Sequence, residues 1–157
     1  MSKWNGKMKK KVLDIIGWRE YAQLPQLEVE AIKVKVDTGA RTSSLHVSEI
    51  KIYKRKNKEF AHFTIHPRQK SSKPEIEAKA EVIEHRKVKS SNGISSVRPV
   101  ILTKLKIGEH VKVIEVTLVN RDMMGFRMLL GREALRGDFL VDSGKSFLMS
   151  KELKKRS

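Results

Sequence analysis

Of the side chains able to do chemistry, Asp37 has the most telling setting: Val34-Lys35-Val36-Asp37-Thr38-Gly39-Ala40-Arg41-Thr42-Ser43-Ser44-Leu45. A carboxylate can take or give a proton, provided a rigid element presents it. Ile32, Val34 and Val36 alternate with Lys33 and Lys35, the period of a half-buried strand whose apolar side faces a core. Gly39 can turn the backbone sharply through positive φ, and the Thr38 and Thr42 hydroxyls can tie the loop to nearby backbone. From these residues alone, an ordinary Asp-x-Gly turn between strands is the favoured reading.

Other groups offer less. His62 and His66 are four apart, but Phe63-Thr64-Ile65 between them reads as strand, where that spacing does not bring two ligands together. His46, His85 and His110 stand alone, so all five histidines read as surface groups and no metal site is expected. There is no Gly-rich loop ending in Lys-Ser or Lys-Thr and no His-Glu-x-x-His, and no cofactor is expected. Asp142-Ser143-Gly144-Lys145, between Val141 and Phe147, reads as a turn.

The 157 residues suit one domain with a real core. The chain has no cysteine, which removes disulfides, thiol nucleophiles and cysteine-ligated metals and fits a reducing compartment. No apolar run approaches the roughly 20 residues of a membrane span, and no apolar segment follows the basic start, so a cytoplasmic location and no membrane contact are expected. With 34 Lys and Arg against 18 Asp and Glu, the formal charge is +16, which attracts acidic partners by long-range field. Nucleic acid is one such partner, but few aromatic residues are available for base stacking and no nucleic-acid signature stands out, so a solvated basic surface or an acidic peptide substrate is favoured over it.

The elements around Asp37 read as strands. Residues 1–11 form a basic flexible tail, 12–150 the domain and 151–157 a basic C-terminal tail. Residues 12–18, ended by Gly17, and 21–27, broken at Leu24-Pro25, read as separate strands. Residues 50–53 and 60–65 make a hairpin, followed by a loop at 66–74. Residues 75–82 repeat apolar groups every second position and read as a strand. Asn92-Gly93 marks a hairpin tip, since both residue types tolerate positive φ. Residues 100–107 and 111–119 make another hairpin around Gly108. Met128-Leu129-Leu130-Gly131 then runs into a helical turn at 132–135, and 139–141 with 146–149 form a last strand pair.

Asp37-Thr38-Gly39-Ala40 after a strand, with Leu129-Leu130-Gly131-Arg132 before a short helix, resembles the retropepsin-like aspartic peptidases. The match is closer to a small bacterial family labelled ATP-dependent zinc proteases and associated with ATP-grasp ligases that append glutamates to proteins. Its blocks are similar to Gly17-Trp18-Arg19-Glu20, Leu24-Pro25, Lys35 to Leu45, Arg98-Pro99-Val100, Asn120-Arg121, Met128 to Leu135 and Phe139 to Asp142. The resemblance implies an all-β fold, a closed acid-protease barrel with one short helix near the C-terminus. It also implies an endopeptidase active as a homodimer, because two carboxylates must share a proton around a water and each chain offers one Asp-Thr-Gly. Asp37, Thr38 and Gly39 would form the catalytic loop. Asn92 and Gly93 would lie in a flap, and with Ala40, Arg41 and Arg98 would contact substrate. A two-lobed arrangement using Asp142 is rejected, since too little chain follows it for a second lobe. Arg41, where viral enzymes often carry an acidic residue, suits an acidic or glutamate-rich substrate. The alternatives are a non-catalytic basic module that binds an acidic protein or RNA, and a zinc protease as the label says.

Overall fold

The computed structural model describes residues 12–68, 71–89, 92–121, 123 and 125–156. The expected tail at 1–11, Gln69 and Lys70 of the expected loop, and Ser90 and Ser91 before the expected Asn92 tip lie outside them. Ten strands follow in chain order: β1 Asp14–Leu24, β2 Val29–Val36, β3 Ser43–Arg55, β4 Lys58–Ile65, β5 Ile76–Glu81, β6 Glu84–Lys89, β7 Ser95–Ile107, β8 His110–Val119, β9 Met128–Leu130 and β10 Phe139–Ser146. Two short helices, α1 Arg132–Leu135 and α2 Lys151–Arg156, complete the chain.

Six of the strands close a barrel in the order β1-β2-β9-β3-β8-β7, and Gln23 opposite Lys106 joins the last to the first. Alternation fills it: Ile32 and Val34 from β2, Leu45 from β3, Ile101 and Leu105 from β7, Val116 and Leu118 from β8 are all at most 1% exposed. Each buried aliphatic side chain of this size contributes about 1.5–3 kcal/mol of hydrophobic stabilisation. β10 adds to the outside of β1, and β6 to the outside of β7. β3 outruns the barrel, and its far half pairs with β4, which pairs with β5, making an accessory sheet. Its tight hairpin turns at Lys56 and Asn57, both with positive φ, within the polar stretch between the two strands.

Four local expectations change. Residues 12–18 and 21–27 do not form two strands but the single strand β1, because Gly17 makes a bulge rather than an end, and only Pro25, in a 3-10 turn over Pro25–Leu27, stops the ladder. The second change concerns 139–141 and 146–149, which are not a pair: β10 runs from Phe139 to Ser146 and lies parallel to β1. Thirdly, Asp142-Ser143-Gly144 is no turn but the bulged middle of that strand, with the Gly144 amide donating to Asp142 Oδ1 at 3.0 Å. Gly17 is what admits the bulge, since a Cβ there would sit 2.3 Å from the Lys145 carbonyl oxygen. Lastly, Lys151–Arg156, within the expected basic C-terminal tail, is helical, in keeping with a run of good helix formers; the described residues thus carry two short α-helices where one was expected. The hairpins β3–β4 and β7–β8, strand β5 and the β9–α1 step stand where the sequence places them.

No helix among the described residues is long and apolar enough to cross a membrane.

Candidate active site

The Asp37 loop hangs between two strands that the barrel holds rigidly. β2 leads into it, running parallel to β9 with Val36 opposite Leu130, and the Asp37 amide continues the ladder by donating to the Leu130 carbonyl at 2.8 Å. β3 leads out, with Ser44 opposite Leu129 on the other side of β9. Residues 37–42 therefore cross over the end of β9, so Gly131 must be small: a Cβ would lie 2.7 Å from the Arg41 carbonyl oxygen and from the Thr42 carbonyl carbon. The Gly131 amide donates to Ser43 Oγ at 3.1 Å.

The start of α1 fastens the loop's carbonyls. The amides of Arg132 and Glu133 donate to the carbonyls of Ala40 and Arg41 at 2.8 and 3.1 Å. Arg132 Nη1 donates to the carbonyls of Thr38 and Gly39, at 3.2 Å each. Consecutive peptide groups are thus fixed from one short helix. At the front, Asp37 Oδ1 accepts the Gly39 amide at 3.1 Å, and the Ala40 amide closes a turn onto the Asp37 carbonyl. Gly39 does not take the positive φ expected of it. It works by closeness instead, since a Cβ would stand 3.3 Å from Asp37 Oδ1.

Asp37 is half-buried, while Thr38 and Gly39 are exposed. Among the described residues, no bond or ion pair joins Asp37 to a second carboxylate. Asp142 lies on β10 and bonds within its own bulge. Asp37 is therefore a firmly placed carboxylate where the loop meets solvent, with no second carboxylate bonded to it among the described residues.

Of the other expected site residues, Ala40 and Arg41 share the loop. Arg41 borders a cleft of about 260 Å³ between β8 and α1, with Val113, Glu115 and Glu133. Asn92 and Gly93 are at the tip of the β6–β7 hairpin, where Gly93 has φ +85° and Asn92 Oδ1 accepts the Ile94 amide at 3.3 Å. The last pairing of the two strands, Lys89 with Ser95, leaves more residues between them than a two-residue turn has. Nearer its base this hairpin reaches the Asp37 loop and β3 through two arginines. Arg86 donates to Thr42 Oγ1 at 3.2 Å and forms ion pairs with Glu84 at 2.9 Å and Glu115 at 2.8 Å. Hydrogen bonding to Arg86, with a smaller charge contribution from Arg86 and Arg41, holds the Glu84 carboxyl below its ordinary pKa. Arg98 is only 7% exposed and donates to Ser44 Oγ. Arg132, Arg86 and Ser43 bond to the Asp37 loop or to the glycine behind it, and sequence reasoning did not name them as site residues. Only Arg132 left a signal, as the residue following the Leu-Leu-Gly block.

The residues do not fit a zinc site. Among the described residues no three His, Asp or Glu side chains gather around a point. His66 bonds Ser48 and the Ser72 carbonyl, His46 the Arg121 carbonyl, and His85, His110 and His62 pair singly with Glu59, Asp14 and Glu77.

Comparison with known proteins agrees with this geometry. Residues 15–152 match the model of a family described as RimB-like, "Retropepsin-like aspartic endopeptidase RimB". The chain is 45% identical over 138 residues to a "Probable alpha-L-glutamate ligase" of Shewanella halifaxensis, covering 88% of this chain and 30% of that protein. A protein of the same name from Desulfotalea psychrophila is 44% identical over 128 residues, with 82% of this chain and 28% of that one covered. The chain thus spans less than a third of these curated relatives. A crystal structure of a Legionella pneumophila protein of unknown function superposes with a TM-score of 0.71 at 28% identity, covering 87% of this chain and 98% of that one. With a matched model that takes in the barrel, the Asp37 loop and β10, the chain belongs to the RimB-like family of retropepsin-like proteins.

Proposed function

We propose that this protein is an aspartic endopeptidase that works as a homodimer, with the Asp37 carboxylates of two copies facing each other across a two-fold axis. One observation carries the reading: Asp37 lies on a loop fixed by β2, β9 and α1 and exposed at Thr38 and Gly39, with no carboxylate partner among the described residues. Two facing carboxylates cannot both ionise cheaply, so the pair holds one proton. The ionised member takes a proton from the water as its oxygen attacks the peptide carbonyl carbon, and the protonated member gives its proton to the carbonyl oxygen. Collapse of the resulting diol returns a proton to the amide nitrogen, and the C–N bond breaks. The exposed Thr38 of each copy would brace the two loops, and the β6–β7 hairpin would cover the substrate and exclude water.

The favoured substrate is an acidic, glutamate-rich peptide or protein. The +16 charge supports this, as does the place of a homologous segment within proteins named for glutamate ligation, which also suggests a functional link with an ATP-grasp ligase. The deciding experiment pairs an activity screen on acidic peptides with native mass. Cleavage by a two-chain species, lost in a folded Asp37→Asn variant and insensitive to chelators, is expected. Cleavage that survives Asp37→Asn, or that a chelator abolishes, overturns the reading.

A second reading has one observation in its favour. On the accessory sheet Tyr53 and Phe60 stack at 5.7 Å beside the exposed cations Lys51, Arg55 and Lys58, a surface suited to RNA or an acidic protein. Such binding would be indifferent to Asp37→Asn.

A further inference from the structure

Arg86 and Arg98 stand directly opposite each other on the β6–β7 hairpin; Arg86 reaches Thr42 at the end of the Asp37 loop, and Arg98 reaches Ser44 at the start of β3. Their surroundings differ sharply. Arg86 is neutralised by two carboxylates, Glu84 and Glu115, and its proton is held more tightly than usual, first through its bond to Glu84. Arg98 is the more deeply buried of the two, and its guanidinium has only hydroxyl partners: Nε donates to Ser96 Oγ at 3.2 Å and Nη1 to Ser44 Oγ at 3.4 Å. Ser44 Oγ is itself shared with Thr117 Oγ1 at 2.8 Å. Among the described residues no carboxylate pairs with Arg98, and the charge that acts on it is another cation, Arg121. Burial and Arg121 together press its pKa downward, the signature of a cation without an anion.

A guanidinium has five N–H donors in a planar fork that matches a carboxylate, and a buried charge without a counter-ion is retained only against a large desolvation penalty. The adjacent Val100 and Thr117 are fully buried and carry no charge that could balance this one. We propose that Arg98 is the receptor for a substrate carboxylate, bound under the hairpin beside the Asp37 loop, with the Ser44 and Thr117 hydroxyls orienting the fork. This deepens the peptidase reading and rests on it. The carboxylate is that of an acidic side chain or the α-carboxylate of a chain end.

Binding to the full chain carrying Asp37→Asn, which holds peptides without cleaving them, tests the proposal. The probes are tetraglutamate amidated at its C-terminus, tetraglutamine with a free C-terminus, and amidated tetraglutamine. At least one carboxylate-bearing peptide should bind ten-fold or more tighter than the amidated glutamine peptide, and which one does identifies the source. Adding Arg98→Gln should bring that ratio within two-fold, while Lys104→Gln, which removes an exposed cation away from the site, should leave it unchanged. Should Arg98→Gln not fold, Arg98→Lys is read instead, with a loss of at least three-fold expected from replacing the fork by a point charge. Equal binding of all three peptides, or a ratio that Arg98→Gln and Lys104→Gln lower alike, overturns the proposal. Because binding and cleavage are read separately, an Arg98-dependent preference in a protein that cleaves no peptide would remove the peptidase reading and leave the receptor standing.

Discussion

At the scale of single residues, the site depends on groups that hold Asp37 rather than on Asp37 alone. The Arg132 guanidinium makes two hydrogen bonds to consecutive loop carbonyls. Each bond to a charged donor contributes about 1.5–3 kcal/mol, but the larger effect is on geometry, since small displacements of a reacting group cost large factors in rate. Arg132→Ala is therefore expected to lower kcat on acidic peptides by ten-fold or more, while thermal unfolding falls by only a few degrees. Steady-state kinetics beside a melting curve separates the two effects. Thr103 makes an opposite case. Its hydroxyl is buried on β7 without a hydrogen-bond partner among the described residues. Thr103→Val, which keeps the shape and removes the unpaired oxygen, should raise stability by about 1 kcal/mol in a denaturant titration and leave activity alone.

At the scale of elements, the joints decide the outcome. Glu20 is fully buried on β1, and its carboxylate accepts four hydrogen bonds: the amides of Gly17 at 2.7 Å, Leu148 at 2.9 Å and Met149 at 3.1 Å, and the Ser150 hydroxyl at 2.6 Å. A single side chain thereby ties the segment after β10 to β1. Glu20→Gln cannot accept at both ends of its head group, so about 1–3 kcal/mol of stability should be lost and amide exchange should quicken at 147–150 before the barrel opens. The hairpin joint is ionic. Glu84, held below its ordinary pKa chiefly by Arg86, binds fewer protons folded than unfolded at mildly acid pH. Its contribution is present above the unfolded pKa and is lost as pH falls through the lower folded one. Exchange in β6 should therefore rise only below the usual carboxylate range, and Glu84→Gln should abolish that pH step.

At the scale of the whole molecule, net charge matters. A formal charge of +16 on a small domain makes a long-range field that salt screens, with a Debye length of about 8 Å at physiological ionic strength. Turnover of acidic peptides should thus fall as salt rises from low to physiological, while neutral peptides change little. Equal salt response for both would leave the field without a role in substrate choice.

How much of this was legible depended on the range of the force involved. The alternation of Ile32, Val34 and Val36, the apolar run before Gly131 and the Asn92-Gly93 tip are local patterns, so the strands around Asp37 and the loop carrying it could be read directly. By contrast, Gly17 was misread as a strand end and Asp142-Ser143-Gly144 as a turn, because each is explained only by the other, across a parallel pairing that no local rule reports. Arg132 looked like a helix former and turned out to clamp the loop, while Arg98, expected from the resemblance to contact substrate, turned out to be buried among hydroxyls. Which arginine meets carboxylates and which is buried among hydroxyls is a matter of strand register. The sequence by itself determined what chemistry Asp37 could do; the closing of the barrel decided what stands around it, since desolvation and hydrogen bonding act only between groups that folding has brought together.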